Sequence, residues 1–166
     1  MGMPAARVGD LVTHIAPPIL GPGPGSSNVL IGGMPAWRAL PAGAAAAMPP
    51  PTTEPPPEPE LTEEEQEEED KLTEEEKEER DKEAAAEQQA EAEAAIASMG
   101  GAADIHICAQ PSPVPFCVDG PGFVIKGSST VMINGLPAAR QGDIVQEVLG
   151  PPNPIAMGCP TVLIGG

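Results

Sequence analysis

Tyrosine is absent from this 166-residue chain, and its other aromatics amount to two phenylalanines and one tryptophan. Aromatic side chains give a core its largest single burials, so a broad globular core is not expected. Cations are scarce as well: eight Lys and Arg stand against 25 Asp and Glu, a formal net charge of −17. Recognition of a phosphate backbone needs clustered cations, which disfavours nucleic acid as a partner. No apolar run approaches the ~18 residues of a spanning helix, and the N-terminus lacks the basic and apolar regions of a secretory signal. Synthesis in the cytosol is expected, with any export left to another machine. Cysteines number only three. An odd count in that compartment argues against a disulfide framework and for a metal or a thiol.

What is abundant is glycine and proline, 19 and 23 residues, far above the usual share. The charge is segregated too. Of the 25 acidic residues, 20 lie between Glu54 and Glu93, with Lys71, Lys77, Arg80 and Lys82 among them. The remainder is nearly neutral, with Asp10, Asp104, Asp119, Asp143 and Glu147 set against Arg7, Arg38, Lys126 and Arg140. Two kinds of chain are therefore spliced together. The nearly neutral kind, 1–43 and 101–166, reads as short strands broken by Gly and Pro. The other kind is an insertion. Residues 44–60 are an Ala/Pro-rich linker whose seven prolines from Pro49 to Pro59 favour a stiff extended spacer.

Residues 61–100 then read as one long acidic helix, ended by Gly100-Gly101. Thr62 and Glu65 form a capping box. Two near-identical 11-residue blocks, 61–71 and 72–82, place Leu61 and Leu72 on one face. Glu67–Lys71, Glu76–Arg80 and Glu78–Lys82 are i,i+4 pairs in the favourable order. A solvated helix kept extended by its charge is the simplest reading of this segment, and the Ala-rich stretch 84–97 adds a surface able to pack closely.

The neutral part repeats itself. Met3-Pro4-Ala5-Ala6-Arg7-Val8-Gly9-Asp10 returns as Met34-Pro35-Ala36-Trp37-Arg38 and as Leu136-Pro137-Ala138-Ala139-Arg140-Gln141-Gly142-Asp143. Val29-Leu30-Ile31-Gly32-Gly33 and Val131-Met132-Ile133-Asn134-Gly135 precede the second and third copies, and Val162-Leu163-Ile164-Gly165-Gly166 repeats the lead-in once more. Each apolar triplet with its turn is a hairpin signal, strongest at Asn134-Gly135, which suits a type I′ turn. Units this short cannot bury a face alone and must pack on one another.

These linked motifs resemble the PAAR-repeat family, whose members form the conical tip of the membrane-piercing spike in type VI secretion and related contractile injection systems. The resemblance covers roughly 1–43 and 101–166. It implies an all-β fold: a small conical domain of short strands and hairpins with pseudo-threefold repeats, here carrying an inserted acidic α-helix. It also implies one copy per trimeric β-helical spike protein, transient contact with a target membrane, and departure from the cell with the injection machine. The chain stops at Gly166, so an effector is expected to ride non-covalently, with residues 61–99 as a surface for cargo or an adaptor.

Every His and Cys, namely His14, His106, Cys108, Cys117 and Cys159, lies outside the insertion. Imidazole and thiolate are zinc's preferred ligands, and four of them close a tetrahedral site. A tapering domain with little core gains most from such a tie. On the family pattern, a structural Zn2+ is implied at His14, His106 and Cys159, with Cys117 standing where a His is usual. Cys108 is the rival for the fourth place, because two residues from His106 puts it on the same strand face. No acidic residue falls in a metallohydrolase motif, so an enzyme is not expected. Arg7, Arg38 and Arg140 occupy equivalent places, and Asp10 and Asp143 follow two of them to pin the turns. Trp37 replaces the second Ala of the motif, where it either covers the start of the insertion or anchors an interface. The competing reading is a zinc-binding adaptor whose acidic arm recruits a basic protein.

Overall fold

The structure, a computed structural model, describes residues 2–14, 18–47, 73–98, 103–113 and 115–166. Most of the linker, the first 11-residue block, the Glu67–Lys71 pair and the Gly100-Gly101 stop lie outside the described residues. Ten short strands and one α-helix make up the described chain. The strands are β1 (Met3–Ala5), β2 (Leu30–Ile31), β3 (Met34–Pro35), β4 (Ile105–Pro111), β5 (Val118–Val124), β6 (Met132–Ile133), β7 (Leu136–Pro137), β8 (Ile144–Glu147), β9 (Asn153–Pro154) and β10 (Cys159–Ile164). The helix, α1, is Glu74–Ser98, and a short 3-10 turn covers Ala44–Ala47.

The repeated lead-ins form equivalent antiparallel pairs. Ile31 faces Met34 and Leu30 faces Pro35; Ile133 faces Leu136 and Met132 faces Pro137. The last lead-in finds its partner at the other end of the chain, where Ile164 faces Met3 and Leu163 faces Pro4. Positive φ at Asn134 and Gly135, and again at Gly32 and Gly33, is the signature of the type I′ turn expected from sequence.

The motifs that follow these pairs are joined in a closed ring. The backbone N–H of Trp37 donates to Ala6 O at 2.9 Å, that of Ala6 to Ala139 O at 2.9 Å, and that of Ala139 to Trp37 O at 3.0 Å. Only small side chains let three backbones approach so closely, which accounts for alanine at Ala5, Ala6, Ala36, Ala138 and Ala139, all fully buried. Trp37 is the exception to the alanine pattern. It is fully buried among Val12, Leu20, Val124, Val145 and Ile155, so it is a core residue and neither a cover for the insertion nor an interface anchor.

Three Arg–Asp clasps hold the turns. Each aspartate accepts from its arginine's own backbone N–H: Arg7 to Asp10 at 2.8 Å, Arg38 to Asp104 at 2.7 Å and Arg140 to Asp143 at 2.8 Å. Each also takes the guanidinium side-on through Nε and Nη2. Sequence reading identified two of these partners and missed Asp104, because the insertion separates it from Arg38. The insertion is thus spliced into the second motif between its arginine and its aspartate.

A four-stranded antiparallel sheet, in the order β4-β5-β8-β9, completes the domain. Around Phe123 of β5 lies a second cluster of Leu40, Cys117, Val148 and Leu149, and Ala85 of α1 is buried in it. The Cys117 thiol donates to Ala85 O at 3.3 Å, and Lys82 Nζ lies 5.7 Å from the centroid of the Phe116 ring. The helix is therefore seated on the sheet through its middle, with Ala85 small enough to allow contact.

At the start of α1, Thr73 and Glu76 make the capping box: Thr73 N–H donates to Glu76 Oε2 at 2.9 Å, and Glu76 N–H to Thr73 Oγ1 at 3.3 Å. Of the expected helix pairs, Lys82–Glu78 forms at 2.7 Å. Glu76 turns back to the cap, and Arg80 lies 3.4 Å from Asp81. Thr73→Ala is expected to speed hydrogen exchange of the amides at 74–77 roughly fivefold, the usual worth of a cap, with no change in the sheet. Unchanged exchange would show that packing alone starts the helix.

Candidate metal centre

Glycine lets the strands behind the centre close up, since a Cβ at Gly122 would meet the backbone of Gln146 and Glu147. In the sheet, His106 of β4 faces Gly122 of β5, and Gly122 faces Glu147 of β8, so the three share one row and one face. His106 and Glu147 thus flank Gly122 in one row and meet across the middle strand. Their Nε2 and Oε1 lie 3.6 Å apart. Cys108, two residues on from His106, faces Gly120 on the same row pattern. His14 comes from the opposite side, after Val12 pairs with Ile155 and Thr13 N–H donates to Pro154 O at 3.1 Å.

The ligand atoms of His14, His106, Cys108 and Glu147 all lie within 4.8 Å of one another, and all four residues are buried. The two imidazoles meet at 2.8 Å between their Nε2 atoms. His14 Nε2 is also 3.7 Å from Glu147 Oε1, and His14 Nδ1 is 3.6 Å from Cys108 Sγ. Asn153 Nδ2 donates to Glu147 Oε2 at 3.2 Å, whereas Glu147 Oε1 is buried with no hydrogen-bond partner. Behind Cys108, its thiol donates to Asp119 Oδ2 at 3.7 Å.

Burial sets the protonation preferences here. It pushes His106 down to about 4, helped by neighbouring His14, and lowers His14 as well. Both rings are therefore held neutral, the form that coordinates a metal. The same burial raises Glu147 to about 7 and Cys108 to about 11. Two neutral imidazoles, a thiol and an orphaned carboxylate oxygen converging on one point are the donor set a divalent metal neutralises. The residues fit such an ion.

The structure thus brings together three of the five sequence candidates, His14, His106 and Cys108. It does not bring Cys117 or Cys159 to them. Cys117 lies in the cluster under α1. Cys159 sits with Ala5, Ile31 and Ile164, its Sγ 3.3 Å from Thr161 Oγ1. Both cysteines are held by pairings outside the His106–Gly122–Glu147 row. No disulfide joins the three cysteines. Glu147 was missed as a candidate ligand in sequence; the legible signal was a lone carboxylate among the mostly apolar residues 144–149.

Residues 117–166 match the family model described as the PAAR motif. No curated protein and no solved structure matches the chain.

Proposed function

We propose that the chain, whose residues 117–166 match the PAAR motif, is the metal-stapled tip of the spike of a contractile injection system, capping a trimeric β-helical spike protein. The observation that carries this reading is the outer rim of the three equivalent strand pairs, two of them hairpins. Leu30, Met132 and Leu163 occupy the same register position and are 62%, 59% and 61% exposed. Three equivalent apolar side chains around a closed backbone ring make a pseudo-threefold base suited to three identical subunits. Its chemistry is apolar contact with little charge, so docking is expected to be insensitive to salt. The role is mechanical, with no turnover.

The metal is Zn2+ in this reading, held by His14, His106, Cys108 and Glu147. Bound there, it ties β4, β8 and the segment after Val12 into one unit. The four groups are shut off from solvent, as befits a structural site, whereas a catalytic site keeps a position open. Residues 1–43 and 101–166 act as one domain, because the Arg38–Asp104 clasp and the backbone ring join them. The insertion is an appendage of that domain, with α1 and the residues before it, 61–99, available to cargo or an adaptor. The protein is made in the cytosol and leaves with the machine.

The test is a mass measurement of the chain mixed with its spike protein. One copy per trimer is expected; three copies, or no complex, would overturn the tip assignment. Leu163→Asp should weaken the complex by at least tenfold while leaving the free domain folded, since that side chain is already in water.

A further inference from the structure

Resting on that reading of the metal, we propose that Asn153 is a positioning residue that decides which oxygen of Glu147 the ion receives. A carboxylate has two equivalent oxygens, and rotation about its last bond exchanges them. A hydrogen-bond partner on one oxygen tells them apart. Asn153 is the side chain that does so, beside the backbone of Glu147 itself: its Nδ2 donates to Glu147 Oε2 at 3.2 Å and to Pro151 O at 3.0 Å. With both bonds made, both protons of the amide nitrogen are committed. The other oxygen, Oε1, is then left without a hydrogen bond and faces both imidazoles, at 3.7 Å from His14 Nε2 and 3.6 Å from His106 Nε2.

The fold supplies this partner through register. Val145 of β8 faces Asn153 of β9, which sets Asn153 two residues back along β8 from Glu147, on the edge strand beside it. The turn between them, 148–152, brings Pro151 O within reach of the same amide. Asn153 is itself buried, so water does not readily substitute for it. An orphaned oxygen aimed at two ring nitrogens, with its twin tied down, holds one donor atom of the carboxylate ready. Ligand-orienting partners of this kind are typically worth on the order of 10–100-fold in metal affinity.

The experiment uses the full chain and Zn2+ titrated against a chromophoric chelator. Asn153→Leu keeps the volume and removes the donor. It is expected to weaken Zn2+ binding on the order of 10–100-fold in the native background, and by less than threefold in a Glu147→Ala background, where there is no carboxylate to position. Equal losses in both backgrounds would show that Asn153 acts through the fold, which overturns the proposal. If Glu147→Ala alone binds Zn2+ as tightly as the native chain, Glu147 is not a ligand, and the proposal falls together with that part of the metal reading.

Where Glu147→Ala retains no measurable Zn2+, or the leucine variant does not fold, the Co2+ spectrum of Asn153→Ala decides. A carboxylate free to offer both oxygens is expected to weaken the visible bands through a higher coordination number. A spectrum identical to that of the native chain would overturn the proposal.

Discussion

Stripping the metal with a strong chelator is expected to lower the melting temperature by on the order of 15 °C or more. At an ion concentration ~1,000 times its dissociation constant, a metal that binds only the folded state contributes about 4 kcal/mol. In a domain of this size each kcal/mol is worth roughly 4–8 °C. Metal-free protein should still fold, because the Trp37 cluster and the Phe123 cluster are built without any ligand atom. Re-addition of Zn2+ should restore the loss.

Substitution separates the candidate ligands. Cys108→Ser and Glu147→Gln should each release most of the ion, whereas Cys117→Ser and Cys159→Ser should leave it bound, since their sulfurs belong to other clusters. Elemental analysis of each purified variant reads this directly. Absence of metal from the native protein, with a melting point indifferent to chelator, would remove the metal reading. Loss of metal from Cys117→Ser and retention in Cys108→Ser would reverse the ligand assignment.

Asp104→Ala is expected to cost about 3–5 kcal/mol, the usual effect of removing one partner from a buried ion pair. Asp104 is fully buried, and it accepts from the backbone N–H, Nε and Nη2 of Arg38. Alanine would leave that guanidinium, 15% exposed, without its counter-charge. The melting temperature should fall by about 12 °C or more. Asp104→Asn keeps an acceptor for the backbone N–H and should lose only part of this.

The position of this clasp makes its effect larger than a local one. Arg7 and Asp10 close a turn of adjacent residues, but Arg38 and Asp104 must find one another across the whole insertion. Closing the longer loop costs roughly 2–3 kcal/mol more in chain entropy, a cost offset where α1 folds and seats Ala85 on β5. Shortening the insertion to a flexible linker should therefore leave the clasp formed and the domain folded. A melting curve of Asp104→Ala that overlays the native one would show that the second motif is held by its backbone ring alone.

Much of the fold was readable from local pattern. Short strands, type I′ turns and the Pro-Ala-Ala-Arg units each depend on residues close in sequence, and each is where turn chemistry put it; the capping box expected at Thr62 and Glu65 lies outside the described residues, and the helix that is described, Glu74–Ser98, is capped one block later by Thr73 and Glu76. His106 and Cys108 were paired by the same reasoning, because alternation along one strand is a local property.

The remainder depended on which strands lie side by side, and no local pattern states that. Glu147 is 41 residues from His106 in sequence and meets it only because Gly122 stands between them in the sheet. Asp104 joins Arg38 because the ring returns the chain to the point where the insertion left it. Cys117 and Cys159 were the expected ligands on the family pattern, with Cys108 only the alternate, and packing put the first two in other clusters. Residue type and spacing determined what the chain can coordinate, turn and cap. Cross-strand register, set by the burial of whole faces at once, decided which of those residues meet.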